Sequence, residues 1–146
     1  VLERAKARGV SGFGVELQEA IILYELGRPD AGIEALRRLA ADVPAYAPIW
    51  YNLGLAYLRL DRYEKALSCF RQHLELEPNA PPVRFAAAAS HMALGQREQA
   101  WALLRRMAAS QRDQLRGWLD EEAGYLKAIH SDPDYPAFAR RLGLTP

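Results

Sequence analysis

An all-α stack of antiparallel helical hairpins is the fold that this 146-residue sequence predicts, and three observations predict it. Apolar residues recur at helical spacing, Gly and Pro punctuate the joints, and the whole pattern returns every 34 residues without insertion or deletion. Small residues return with it: Ala20, Gly54 and Ala88 fall in one column, and Gly32, Ala66 and Ala100 in another. Two helices of one hairpin can approach closely only where such columns stay small, so the period reads as packing and not as composition.

The elements follow in order. Helices are expected at 14–27 and 30–41, at 47–60 and 63–76, and at 81–94 and 97–110, with Gly27, Asp61 and Gly95 in equivalent turns. Pro48 and Pro82 fall in the first turn of their helices, where the missing N–H costs nothing, and Pro44 and Pro78 end the preceding helices. Leu26, Leu60 and Leu94 share a column, as do Leu36, Phe70 and Leu104, and Leu23, Tyr57 and His91. His91 is therefore expected in the core. Arg112 stands where the third repeat would have its Pro, so the chain is expected to leave that helix differently.

The two ends are read from the same register. Val1 to Gly12 fit the tail of an earlier repeat, with Leu2 in the column of Phe70 and Ala5 in that of His73; an ordinary N-terminal cap helix is the alternative. Leu115, Trp118, Leu119, Leu126 and Ile129 form an apolar stripe expected on one capping helix, which Gly117 and Gly124 weaken by up to ~1 kcal/mol each relative to Ala. A solenoid needs such a helix, because the last repeat would otherwise leave its apolar face in water. Ser131-Asp132-Pro133 then signals a final helix carrying Tyr135, Phe138 and Leu142 on one face, and Pro146 is expected near the natural C-terminus.

Trp50, Leu53, Gly54 and Tyr57 spell W-x2-L-G-x2-Y, and Ala66, Phe70 and Pro78 follow at matching distances. Residues 47–80 thereby resemble the tetratricopeptide repeat family, departing from it only at His73, where the family prefers Ala. The flanking repeats are degenerate, with Glu16 and Arg84 in the Trp50 column. The resemblance implies an α-solenoid with a right-handed superhelical twist, divided into repeats at 13–46, 47–80 and 81–114 and a capping segment at 115–146.

In that family the first helix of each hairpin lines a concave surface. Transferred by column, the lining is Gly14, Leu17, Ile21 and Tyr24, then Pro48, Tyr51, Leu55 and Leu58, then Pro82, Phe85, Ala89 and Met92. An apolar groove of this kind on a protein usually marks an interaction site, and an amphipathic helix or an extended apolar peptide is the natural guest. The expectation is a non-catalytic protein–protein scaffold in which Leu17, Ile21, Tyr24, Tyr51, Asn52, Leu55, Leu58, Phe85, Ala89 and Met92 meet the partner. Tyr24, Tyr51 and Phe85 are the expected anchors. The alternatives are that the chain's own terminal segment or a second copy fills the groove, or that the module belongs to a longer array. Gripping a chaperone's C-terminal carboxylate is disfavoured, because Leu17, Ile21, Pro82 and Ala86 occupy columns that such a clamp needs polar and only Asn52 fits. Asn52 is expected to bond to neighbouring backbone.

Composition narrows the remaining classes. A net charge of +1 gives no global field for nucleic acid, and the pairs Arg37–Arg38, Arg105–Arg106 and Arg140–Arg141 are interleaved with Glu34, Glu64 and Glu98. One cysteine, Cys69, excludes an intramolecular disulfide framework. His73, His91 and His130 share no metal-ligand spacing, and no carboxylate pair is placed to face another across a substrate, so neither catalysis, a metal nor a cofactor is expected. No apolar run reaches the ~20 residues of a membrane span. A cytoplasmic location is slightly favoured, although the chain starts at Val1 and a removed targeting segment stays open. Arg supplies sixteen of the 19 basic residues and Ala is abundant, which fits a GC-rich, bacterial source.

Overall fold

The computed structural model describes residues 2–144, with side chains from Phe13 onward. Six helices make three hairpins: α1 (Leu2–Glu25) with α2 (Pro29–Asp42), α3 (Ala47–Arg59) with α4 (Tyr63–Leu76), and α5 (Pro81–Ala93) with α6 (Arg97–Ser110). Successive hairpins join through α2 on α3 and α4 on α5. No strand occurs among the described residues, and none of their helices is long and apolar enough to cross a membrane.

Each hairpin turns by one device. Gly27, Asp61 and Gly95 adopt φ of 79°, 59° and 75°, the left-handed conformation that closes a helix C-terminus. The next residue then reaches back over the turn: Arg28 N–H donates to the Leu23 carbonyl at 3.0 Å, Arg62 to Tyr57 at 2.9 Å and Gln96 to His91 at 2.9 Å. Orphan carbonyls of the first helix are satisfied at the same place in all three repeats.

The third repeat keeps a bond of the second with different chemistry. Trp50 Nε1 donates to the Pro44 carbonyl at 2.8 Å, and 34 residues on, Arg84 Nη2 donates to the Pro78 carbonyl at 2.8 Å. An indole and a guanidinium share little in shape, but both carry an N–H to the carbonyl of the proline that ends the preceding helix. Asn79 Oδ1 accepts a second bond from Arg84 Nη2 at 3.0 Å.

Two features depart from the sequence reading. α1 continues unbroken across the expected division between residues 12 and 13; Gly12 and Gly14 lower helix propensity there, but no proline blocks the turn. The expected columns of Leu2 and Ala5 lie outside the described side chains. At the other end the single capping helix is replaced by α7 (Arg112–Leu119), a break at 120–123, a 3-10 turn at Gly124–Leu126, and α8 (Lys127–His130). The charged run Asp120-Glu121-Glu122 remains exposed in that break, while Leu115, Leu119, Leu126 and Ile129 are all buried. In one straight helix Glu122 would fall within the stripe of Leu115, Leu119, Leu126 and Ile129, and the break leaves it in water while those four residues are buried.

The last helix, α9 (Tyr135–Arg141), is fixed by a polar cluster spanning some thirty-five residues of sequence. Arg97 at the start of α6 donates through Nε to Asp132 Oδ2 at 2.6 Å and through Nη2 to Asp132 Oδ1 at 3.0 Å and Asp134 Oδ2 at 2.9 Å. Trp101 Nε1 at 3.2 Å and the Asp134 N–H at 3.0 Å also donate to Asp132 Oδ1. Asp132 is buried but every bond it needs is made, and the Arg97 guanidinium holds its carboxyl down at about 2. Phe138 packs edge-on to Trp101 at 5.0 Å, so α9 lies against α6. Arg112, in place of the repeat's proline, donates Nη2 to the Arg141 carbonyl at 2.7 Å and closes the end of α9.

Candidate functional site

The residues expected to line the groove divide into two groups. On the third repeat, Phe85, Ala89 and Met92 are buried in one cluster with Leu115, Leu119, Leu126 and Ile129. The Trp118 ring stacks on Phe85 at 5.3 Å between centroids and 25° between planes. The expectation that these three residues of α5 meet a partner is therefore corrected: Trp118, the 3-10 turn and α8 lie over α5 and occupy that stretch themselves, while α7 packs on α6. The apolar stripe at Leu115–Ile129 was the signal, but it reads equally well as a cap over the end of α6. Phe138 packs on Trp101 and Tyr135 on His130, at the edge of the same cluster.

Leu58 is corrected as well, since it is wholly buried in the core shared by the first two repeats. Leu17 is buried in the same core. His91, expected in the core, is instead only half-buried, with Nδ1 2.7 Å from Gln96 Oε1 across the hairpin turn. An imidazole gains more from that bond near water than from burial without a partner.

What stays accessible is a shelf on the first two repeats, where Ile21, Tyr24, Tyr51, Asn52 and Leu55 are all half-buried. A hollow of about 110 Å³ opens between α1, α2 and α3, with Ile21, Tyr24, Leu36 and Leu55 as its apolar lining and Glu25, Asn52 and Arg59 as its polar one. The Arg59 guanidinium lies 5.5 Å from the Tyr24 ring centroid, so a cation borders the apolar floor. Asn52 Nδ2 donates to the Pro48 carbonyl at 2.8 Å; its amide serves its own helix, and its carbonyl oxygen has no hydrogen-bond partner among the described residues. Tyr51 sits with its ring 6.4 Å from Phe70 and 6.1 Å, edge-on, from His73. Burial first, and then the neighbouring Tyr125, push its phenol above the ordinary range. Tyr125 of the fold-back segment thus marks where the filled half ends and the open half begins.

Elsewhere the chemistry is bland. Among the described residues no group of three His, Cys, Asp or Glu is placed to hold a metal ion. Cys69 is buried and its thiol is pushed up to about 11, which removes the thiolate at neutral pH. His73 is buried beside Tyr51 with Nε2 3.8 Å from Glu77, and its Nδ1 finds no hydrogen-bond partner. Arg37, Arg38, Arg105, Arg106, Arg140 and Arg141 are all exposed; Arg38 pairs with Glu34 at 3.7 Å and Arg105 lies over Trp101 at 5.8 Å.

Residues 47–80 match the tetratricopeptide repeat family. Solved structures of similar fold include a chain of a CopN–Scc3 complex, 15% identical with a TM-score of 0.64 over 92% of this chain and 68% of that one. Another is MamA AMB-1, 24% identical with a TM-score of 0.60 over 90% of this chain and 67% of that one. At these identities the likeness is one of fold. No curated protein matches the chain by sequence.

Proposed function

We propose that this chain, whose residues 47–80 match the tetratricopeptide repeat family, is a non-catalytic protein-binding scaffold whose guest lies on the half of the concave face that its own C-terminal segment leaves open. The observation that carries this reading is the contrast between the two halves. Phe85, Ala89 and Met92 are covered from within, whereas Ile21, Tyr24, Tyr51 and Leu55 remain half-buried around a hollow. A similar solenoid occurs in a protein–protein complex, CopN–Scc3.

The guest that fits is short: one or two turns of an amphipathic helix, or an extended segment, with an apolar side chain for the hollow, whose lining carries both Glu25 and Arg59. Burying three or four such side chains gives roughly 1.5–3 kcal/mol each before association costs, which supports micromolar rather than tighter binding. The test is affinity capture with the parent chain and with a Tyr24→Glu/Leu55→Glu variant matched to it in helicity and melting. A protein retained by the parent and released by the variant supports the shelf. Identical capture by both removes it, and binding then belongs to another surface.

A further inference from the structure

We infer that a hollow between α2, α3 and α4, separate from the shelf, is a docking site for an acidic segment of another protein that carries an aromatic side chain. The hollow holds about 450 Å³. Leu53 and Tyr57 of α3, Ala40 of α2 and Cys69 of α4 make its buried floor, and Trp50 stands half-buried among them. Trp50, Leu53 and Tyr57 each lie two positions before Asn52, Leu55 and Arg59 of the shelf, about 200° around α3, so the two sites use opposite sides of one helix. One period on, the joint between α4, α5 and α6 is filled differently. Ala40 and Cys69 become Leu74 and Leu103, both packed against the core, and Ala41 becomes the exposed Glu75. The first joint is therefore short of two leucines and an acid, and it carries Lys65 where the second has Gln99.

The occupant's charge follows from the rim. Arg37 on α2 and Lys65 on α4 line the hollow, both are exposed, and neither makes an ion pair among the described residues. The nearby Glu34 is taken by Arg38 at 3.7 Å, and no carboxylate is part of the lining. Lys65 Nζ lies 5.7 Å from the Tyr57 ring centroid, so one cation already stands over the apolar floor. Carboxylates complement this pair, the Arg37 guanidinium by its two-pronged fork and Lys65 as a point charge. Exposed ion pairs contribute little by themselves, so the guest also needs a ring to cover Trp50, Leu53 and Tyr57. The exposed rim suits a peptide crossing from α2 to α4, which meets both cations and the floor at once. A nucleic acid needs a longer basic track, and exposed Glu34 and Glu64 on the same two helices interrupt one.

The probe is a synthetic peptide with one Phe flanked on each side by two Asp, titrated into the isotope-labelled full chain and followed by amide chemical shifts. Saturable binding with a Kd below ~1 mM is expected, with the shifts centred on α2 and α4. Arg37→Ala/Lys65→Ala should weaken it at least about tenfold, and so should Ala41→Glu, which brings the second joint's acid into the first. All three positions are exposed, so melting should not change. A peptide with Ala in place of Phe should also bind at least about tenfold more weakly, and equal binding would reduce the contact to bare charge pairing and overturn the inference. No saturation by ~1 mM peptide, or undiminished binding by the Arg37→Ala/Lys65→Ala chain, overturns it as well. Tyr24→Glu/Leu55→Glu should leave this peptide bound; its loss there would move the contact to the shelf, so the two sites fail separately. Tighter binding of a short single strand of DNA, abolished by Arg37→Ala/Lys65→Ala, would give the hollow to nucleic acid and overturn the inference too.

Discussion

Phe70 occupies the space that Gly54 leaves empty: a Cβ built on Gly54 would stand 2.7 Å from Phe70 Cδ1, well inside contact distance. Phe70 is wholly buried and cannot swing away. One period to either side, the same two columns hold Ala20 with Leu36 and Ala88 with Leu104, so the larger ring goes with the smaller partner. The helix–helix spacing of the central hairpin is set by this exchange of volume.

Gly54→Ala should therefore destabilise the chain by about 1–3 kcal/mol through overpacking, less the ~1 kcal/mol that Ala gains in a helix. Adding Phe70→Leu recreates the Ala–Leu pair of the flanking repeats. Urea denaturation of both single variants and the double should give a favourable coupling energy. Additive losses would show that the two positions do not share one volume.

Asp61 takes the turn position that Gly27 and Gly95 fill, at a φ of 59°. A side chain in this conformation costs on the order of 1 kcal/mol, against which Asp61 Oδ1 gains only an exposed bond from Tyr63 at 2.9 Å. Asp61→Gly is expected to raise stability by about 0.5–1 kcal/mol, and Asp61→Val to lower it. Thermal melting of the two variants checks the sign of each.

Asp132→Asn keeps the shape of the cluster around Arg97 but removes its charge. The loss expected is about 2 kcal/mol, the scale of hydrogen bonds to an ionised group. It should be local: amide exchange in residues 127–144 should accelerate more than in α3 and α4, whose core Asp132 does not touch. Uniform acceleration along the chain would mean that the C-terminal segment and the repeats unfold as one unit.

Acid should destabilise the protein in two steps. Burial lowers the pKa of His73 below its ordinary value of 6.5, so the unfolded chain binds that proton first and stability falls as the pH drops below about 6.5. Asp132 titrates at about 2 in the folded chain and near 3.9 when unfolded, so its contribution is full above pH ~4 and is lost between there and pH ~2. His73→Ala should flatten the upper step, and Asp132→Asn the lower one. Denaturant midpoints from pH 7 to about 2 would show the first step setting in below about pH 6.5 and the second below about pH 4.

The periodic part of this protein was determined by its sequence alone. Gly54, Pro44, Pro78 and the turn residues Gly27, Asp61 and Gly95 act over a few residues of chain, and local constraints of that kind repeat faithfully at a fixed spacing. The Trp50 and Arg84 bonds show the limit of reading letters, since two unlike side chains serve the same proline carbonyl and only the shared column hints at it. Tertiary structure decided the rest. How Leu115, Leu119, Leu126 and Ile129 divide between α6, on which α7 packs, and α5, on which the 3-10 turn and α8 lie, depends on competition between two apolar surfaces that periodicity describes equally well. The pairing of Arg97 with Asp132 depends on chain meeting chain some thirty-five residues apart, and no spacing rule marks it. The first of those choices covers Phe85, Ala89 and Met92 and leaves Ile21, Tyr24, Tyr51 and Leu55 half-buried.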